Sequence, residues 1–161
     1  MTYEPPRVLG IDPGAQGGLA MLEGMRFVRS LRTPRRNVGG KYTVDAQVID
    51  FWLRDLDIPD AVVIEKGIPM PHQNSVATFS TGKNIGVLDA LAQLWGAPTF
   101  WVAAKTWKAH FKLTGNKRES LTLASELFPK ADVNWRIMPN NGVAEAALIA
   151  LWWVQKNGGT K

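Results

Sequence analysis

The chain has 161 residues, of which 45% are hydrophobic, and carries a formal net charge of +5. That length is enough for one substantial core, so we expect a single domain over residues 1–161. The absence of cysteine excludes a disulfide framework and thiolate metal sites, and two distant histidines, His72 and His110, do not suggest a zinc site. No apolar run reaches the roughly 18 residues of a membrane span and the start lacks a signal-peptide pattern, which predicts a cytoplasmic protein with no membrane partner.

The N-terminal part of the chain predicts a β-meander followed by a helix. Residues 7–12 (RVLGID) are a short β-branched run between two prolines, typical of a buried strand. GGLAML and RFVRSLRT follow, separated by a turn-like EGM, and predict two further strands that run antiparallel to the first. A basic loop with two glycines comes next. Four apolar residues then lie near one stripe at helical spacing and predict a helix packed on the sheet: Val44, Val48, Phe51 and Trp52.

The rest of the chain alternates strands and helices. AVVIEKG at 61–67 predicts a buried strand parallel to the first, and residues 75–95 predict a long helix. PTFWVA predicts the last strand, and KTWKAHF and NKRESLTLASELF predict two helices, the second ending before Pro129. GVAEAALIALWWVQK predicts an apolar C-terminal helix. The order β-β-β-α-β-α-β-α-α-α indicates an α/β domain with a mixed sheet.

Three acids stand in apolar surroundings. Asp12 ends the first strand, Glu65 ends the strand at 61–67, and Glu145 lies within an otherwise uncharged helical segment. A buried carboxylate without a partner is costly, so each needs a cation, hydrogen-bond donors or water. If the two strands are neighbours, Asp12 and Glu65 point to one place, and the last helix can bring Glu145 there.

Clustered carboxylates favour hard divalent cations such as Mg²⁺ or Mn²⁺, and two such ions can promote phosphodiester hydrolysis. Structural explanations remain open for each acid taken alone. Asp12 is equally compatible with a strand-end turn, and Glu65 with a local ion pair to Lys66. Glu145, between alanines, is the hardest to explain without a site.

Three ordered blocks carry a family resemblance: GIDPG at 10–14, VVIEKG at 62–67 and AEAALIA at 144–150. Together with the WK of TWKAHFKL, the pair Lys117 and Ser120, and LFP near the end of a helix, they resemble the RuvC-like Holliday-junction resolvases of the ribonuclease H-like superfamily, especially the phage and organellar branch. The resemblance implies a five-stranded mixed sheet flanked by helices. In it the first three strands form an antiparallel meander and the last two run parallel to strand one.

The same resemblance implies that Asp12, Glu65 and Glu145 are catalytic ligands for two Mg²⁺ (or Mn²⁺) ions per active site. In the branch that the chain resembles, an Asp stands four residues before the helix Glu, where this chain has Asn141. Positions four apart share a helix face, so Asn141 can still approach one metal, although an amide is a poorer ligand than a carboxylate. The chain is either a natural variant that manages with three acids or one in which Asp was changed to Asn by engineering to trap uncleaved substrate. We favour the engineered change, because Asn keeps the shape of Asp while removing its charge.

The resemblance also implies a four-way DNA junction as substrate and a homodimer as the active form, since symmetric cleavage needs two active sites. Basic residues that can neutralise DNA phosphates occur in two clusters. Their members, the DNA-binding candidates, are Arg35, Arg36, Lys41, Lys105, Lys108, Lys117 and Arg118. Ile68 and Met70, in the loop after Glu65, are candidates for contact with the junction centre. Gly82 and Gly86 would allow a second copy to approach the long helix; alternatively, they permit packing on the chain's own sheet.

We therefore expect a DNA endonuclease that resolves Holliday junctions, in a bacterial cell or a phage-infected host. Two alternatives remain: a catalytically silent protein that binds branched DNA, kept open by Asn141, and another ribonuclease H-like nuclease. A kinase of the actin-like fold shares the Asp-Gly start but needs two lobes, for which the chain is too short.

Overall fold

The computed structural model describes residues 4–14, 16–67 and 74–157. Five strands form one mixed sheet in the order β3-β2-β1-β6-β7, and two more form a separate hairpin. The strands are β1 (Arg7–Asp12), β2 (Gly18–Glu23), β3 (Arg26–Arg32), β4 (Arg35–Val38), β5 (Lys41–Val44), β6 (Ala61–Glu65) and β7 (Thr99–Val102). β1 to β3 are antiparallel, whereas β6 pairs parallel with β1 and with β7. The predicted five-stranded mixed sheet is confirmed.

The five described helices flank this sheet on both faces. They are α1 (Ala46–Arg54), α2 (Ser75–Leu94), α3 (Ala104–His110), α4 (Lys117–Leu127) and α5 (Asn141–Asn157), with a 3₁₀ turn at Met138–Asn140 before α5. No helix in the described ranges is both long and apolar enough to span a bilayer.

Helix α5 packs closely across the centre of the sheet. Gly10 of β1 makes this approach possible, because a Cβ at that position would lie 2.0 Å from the backbone oxygen of Ala146. Alternate residues of the strands face α5, among them Val8 and Val63, while Leu9 and Ile64 face α1 and α2. The central strands are thus buried on both faces, which explains why their sequences are continuously apolar.

The predicted apolar stripe of the first helix is wrong in part. Val44 belongs to β5, and Val48 and Phe51 are 44% and 70% exposed. Asp45 caps α1 by accepting a hydrogen bond from the Val48 amide at 3.2 Å, which fixes where the helix starts. The buried face of α1 is therefore Ile49, Trp52 and Leu53. Of the predicted stripe, Trp52 is buried in the helix, and Val44 is buried but in β5.

The basic loop predicted after β3 is instead the β4–β5 hairpin. Gly39 and Gly40 turn the chain with φ of 58° and 80°, the left-handed conformation that a two-residue hairpin turn requires. The side chain of Asn37 accepts a hydrogen bond from the Gly40 amide at 2.9 Å. The segment therefore has regular structure, and its cations lie on a ribbon rather than on a loop.

Candidate active site

Asp12 and Glu65 lie at the same edge of the sheet. They are the last residues of β1 and β6, two parallel neighbours whose register pairs Ile11 with Ile64. Parallel strands end at a common edge, so both carboxylates emerge there. The Asp12 carboxylate also accepts a hydrogen bond from the Gly14 amide at 3.0 Å, which holds the turn that follows β1.

Glu145 reaches this edge from α5, where it lies in the second turn of the helix and is only 7% exposed. Its negative charge raises the pKa of both Asp12 and Glu65, so the three carboxylates are within electrostatic range of one another. We call these three residues the acid cluster. The sequence prediction that the first, fourth and C-terminal apolar segments bring their acids together agrees with this arrangement.

Burial and electrostatic repulsion raise the pKa of Asp12 and of Glu65, and so favour the protonated forms of these two carboxyl groups. Desolvation raises the pKa of Asp12 to about 7; the Gly14 amide opposes that rise, and the charges of Glu145 and Glu65 add to it. Desolvation likewise raises the pKa of Glu65, against the effect of its hydrogen bond from Trp107. A bound cation would stabilise the ionised forms of these two carboxylates, which the site otherwise disfavours.

Helices α3 and α4 supply the polar partners of the acid cluster. The Trp107 indole N–H donates to Glu65 Oε2 at 2.7 Å, and the buried ring fixes the direction of that bond. Lys108 Nζ lies 3.1 Å from Glu145 Oε1, and Ser120 Oγ donates to the same oxygen at 3.3 Å. Glu65 is thus held by Trp107 rather than by its chain neighbour Lys66, contrary to the local ion-pair explanation.

The acid cluster offers carboxylate oxygens, the ligands that suit a hard divalent cation. One ammonium group, that of Lys108, lies near them and offsets part of their negative charge. Within the described residues, no three His, Cys, Asp or Glu side chains stand in a metal-ligating arrangement. Trp107 contacts one oxygen of Glu65, and Lys108 contacts one oxygen of Glu145. A cation would have to compete with Lys108 for Glu145.

Asn141 begins α5 one turn before Glu145 and is 7% exposed. Its side-chain amide donates to the backbone oxygen of Lys117 at 2.8 Å and so joins the start of α5 to the start of α4. An aspartate cannot donate this hydrogen bond. The contact gives the amide a structural role of its own.

The predicted DNA-binding residues lie on three elements. Arg35, Arg36 and Lys41 are on the hairpin, Lys105 and Lys108 on α3, and Lys117 and Arg118 at the start of α4. All are exposed except Lys108, which is turned toward Glu145. Ile68 and Met70 lie outside the described residues.

Gly82 and Gly86 are on the exposed side of α2. A Cβ added at either position would meet no atom of the described chain within 4 Å, so neither glycine is needed for packing on the chain's own sheet. That alternative explanation is wrong. The use of these glycines in a dimer stays a prediction.

Two functional neighbours of the acids, Trp107 and Ser120, were not assigned from the sequence. Both lie in segments that carried the family resemblance, TWKAHFKL and the Lys117–Ser120 pair, and that was the only signal available. Their contacts span 42 and 25 residues of sequence, a separation that local patterns do not encode.

Two solved structures of RuvC from Thermus thermophilus share this fold. One, described as RuvC in complex with a Holliday junction substrate, superposes with a TM-score of 0.65 at 19% identity, over 94% of this chain and 96% of that one. The other, of RuvC itself, gives a TM-score of 0.61 at 19% identity, over 96% and 98%. No protein-family model and no curated protein matches the sequence. The fold is therefore the ribonuclease H-like fold of RuvC.

Proposed function

We propose that the chain is a metal-dependent DNA endonuclease that resolves Holliday junctions by symmetric phosphodiester hydrolysis. The observation that carries the proposal is the convergence of Asp12, Glu65 and Glu145 at one sheet edge, with the pKa of Asp12 and Glu65 raised. Structural packing alone does not call for three acids in one partly desolvated place. The fold shared with a junction-bound RuvC supports branched DNA as the substrate class.

The acid cluster and the Asn141 side-chain oxygen would hold two Mg²⁺ or Mn²⁺ ions. Such ions, when bound, supply an activated water and stabilise the leaving oxygen of the phosphodiester. Two hydrogen bonds orient the carboxylates for these ions: Trp107 orients Glu65, and Ser120 orients Glu145. Lys108 offsets negative charge in the acid cluster and is positioned to move toward a DNA phosphate when cations bind.

The exposed cations of the hairpin and of α3 and α4 would hold the DNA backbone. Lys and Arg bind phosphates by releasing condensed counterions, so binding should weaken steeply with salt. A symmetric four-way junction has two equivalent cleavage positions, which a two-fold homodimer would match. The open face of α2 at Gly82 and Gly86 is the surface that we propose for dimerisation.

The second candidate is a protein that binds branched DNA without cutting it. Asn141 favours this function because it lacks the charge of a fourth carboxylate, and the Lys108–Glu145 ion pair favours it because an ammonium group holds one of the three acids. Both functions require the same DNA-binding surface. They differ in whether divalent cations trigger cleavage.

A labelled four-way junction distinguishes the functions. The chain and its Glu145→Gln variant would be bound to the junction in Ca²⁺ and then challenged with Mg²⁺. Paired symmetric nicks from the wild type, absent from the variant, support the resolvase. Binding without nicks supports the silent protein, and equal cutting of junction and linear duplex or hybrid indicates another ribonuclease H-like nuclease.

A further inference from the structure

A basic cleft of about 390 Å³ lies beside the acid cluster. It is formed where the β1–β2 turn, the connection from β3 to β4, the start of α4 and the 3₁₀ turn meet. The residues that matter for its chemistry are Gly17, Arg32, Thr33, Arg35 and Lys117. Arg32 belongs to the first basic cluster of the sequence, but neither Arg32 nor Thr33 was among the predicted DNA-binding residues.

The strand register places the cleft close to Asp12. Asp12 pairs with Gly18, and Gly18 pairs with Arg32, so two strand spacings, about 10 Å, separate the backbones of Asp12 and Arg32. On the other side, the backbone oxygen of Lys117 accepts the hydrogen bond from Asn141 at 2.8 Å. A DNA strand that reaches the acid cluster can therefore also pass through the cleft.

The unpaired hydroxyl group of Thr33 indicates a ligand in the cleft. The residue is 8% exposed, its backbone N–H donates to the Gly17 oxygen at 3.1 Å, and its hydroxyl has no hydrogen-bond partner among the described residues. Buried polar groups are nearly always hydrogen-bonded, because an unpaired one loses its contact with water without replacement. The hydroxyl itself is closed off from solvent, so an acceptor oxygen of a ligand reaches it once the Thr33 side chain rotates toward the cleft.

The charges around the cleft indicate an anionic ligand. Arg32, Arg35 and Lys117 are exposed, and within the described part of the chain none of the three forms an ion pair. The residues that line the cleft include no carboxylate. A guanidinium group can donate two parallel hydrogen bonds to phosphate oxygens, and an ammonium adds a point charge.

We propose that this cleft is a phosphate subsite that binds a phosphodiester group of the DNA strand entering the acid cluster. The Thr33 hydroxyl donates one hydrogen bond, and Arg32, Arg35 and Lys117 neutralise the charge. The subsite rests on the proposed function, since it assumes that DNA reaches the acid cluster.

Junction affinity tests the subsite through two pairs of variants. Thr33→Val removes the hydroxyl at nearly constant shape, and Thr33→Ser retains it. Arg32→Gln removes one cleft charge, and Arg29→Gln removes the same charge from the same strand at a position outside the cleft, where Arg29 faces Asp55 at 3.8 Å. Binding to a fluorescent four-way junction would be measured in EDTA over a series of salt concentrations, with thermal unfolding of each variant alongside.

We expect Thr33→Val and Arg32→Gln each to weaken junction binding about tenfold, as the loss of a hydrogen bond to a charged group does. Thr33→Ser and Arg29→Gln should bind like the wild type. Arg32→Gln should also lower the slope of log affinity against log salt by about 0.9, the value for one neutralised phosphate. A Thr33→Val protein that melts higher and binds with unchanged affinity would overturn the subsite, because its hydroxyl would then be merely unpaired.

The outcomes separate the subsite from the proposed function. A wild type that fails to bind the junction defeats the proposed function, whereas normal binding by both Thr33→Val and Arg32→Gln defeats the subsite alone. Inorganic phosphate, added at constant ionic strength, tests whether the cleft binds a free phosphate anion instead of a DNA phosphate. If phosphate raises the melting temperature of the wild type but not of Arg32→Gln, while junction affinity is equal in both, the cleft binds a free anion and not DNA.

Discussion

The acid cluster and the β4–β5 hairpin differ in how they hold charge. The carboxylates of Asp12, Glu65 and Glu145 sit in packed surroundings, and indole, hydroxyl and ammonium groups fix two of them. The hairpin carries Arg35, Arg36 and Lys41 on strands exposed along almost their whole length. Desolvated charges of fixed direction suit chemistry on a phosphodiester, whereas exposed charges on a ribbon suit contact with a long polyanion.

The hairpin is nevertheless fixed to the rest of the chain at its base. The Asn84 side-chain oxygen on α2 accepts hydrogen bonds from the Val44 amide and the Thr43 hydroxyl, both at 3.2 Å. The Asp45 amide donates to the Pro34 oxygen at 2.8 Å and closes the same end of the hairpin. The hairpin therefore has a fixed origin beside the basic cleft, while its tip at Gly39 and Gly40 extends into solvent. If the acid cluster cleaves DNA and the hairpin binds it, substitutions should be able to impair cleavage and binding separately.

The largest effect should come from the acid cluster. Glu65→Gln and Glu145→Gln each remove a ligand charge, and we expect Mg²⁺-dependent junction cleavage to fall about a thousandfold, equivalent to several kcal/mol of lost transition-state stabilisation. Junction affinity in EDTA should stay the same or improve, because negative charge is lost. Single-turnover cleavage and equilibrium binding measure the two quantities. Parallel losses of binding and cleavage would contradict a purely catalytic cluster.

Asn141→Asp should produce the next largest effect, in the opposite direction. A carboxylate one turn before Glu145 adds a charged oxygen for a cation, and we expect cleavage in Mg²⁺ to rise about 10–100-fold. The melting temperature should fall, because the donor to the Lys117 oxygen is lost and a carboxylate then faces that carbonyl. Asn141→Ala serves as the control, since it removes the same hydrogen bond without adding charge. Equal activity of the wild type and the Asn141→Asp variant on a junction would refute the prediction.

Neutralising the hairpin should have a smaller effect, and on binding. A triple change of Arg35, Arg36 and Lys41 to Gln should lower the slope of log affinity against log salt by about 0.9 for each DNA phosphate that is no longer neutralised. Cleavage at saturating DNA should remain near the wild-type rate, because the acid cluster is untouched. Arg26, Arg29 and Arg54 changed together to Gln form a control of equal charge outside the hairpin. A matching decrease in that control would mean that net charge, rather than the ribbon, governs binding.

The contrast between the regions also explains what the sequence could predict. Buried strands and acids in apolar surroundings leave strong local signals, so the central strands and the acids at positions 12, 65 and 145 could be inferred from apolar runs interrupted by one charge, whereas the complete five-stranded arrangement was implied by the family resemblance. The hairpin strands RRNV and KYTV are only four residues long, and their two buried residues, Thr43 and Val44, are adjacent, so the strands lack an apolar alternation that would distinguish them from a loop. The stripe of α1 was misplaced because the cap at Asp45, not the apolar residues alone, determines where the helix begins.

The smallest effect concerns stability and tests the desolvation of Asp12. Its pKa in the folded chain is about 7, against an ordinary value of 3.8, so between these values the folded state retains a proton that the unfolded state has lost. Asp12 therefore lowers the free energy of unfolding as pH rises through this window, and the full penalty applies above about pH 7. In EDTA, Asp12→Asn should melt a few degrees higher than the wild type at about pH 8, and the gap should close toward about pH 4. Mg²⁺ should narrow or reverse the gap at about pH 8 by stabilising the ionised Asp12. A gap that is independent of pH would show that its cause is not the ionisation of Asp12, and the absence of a gap would place Asp12 in water rather than in the acid cluster.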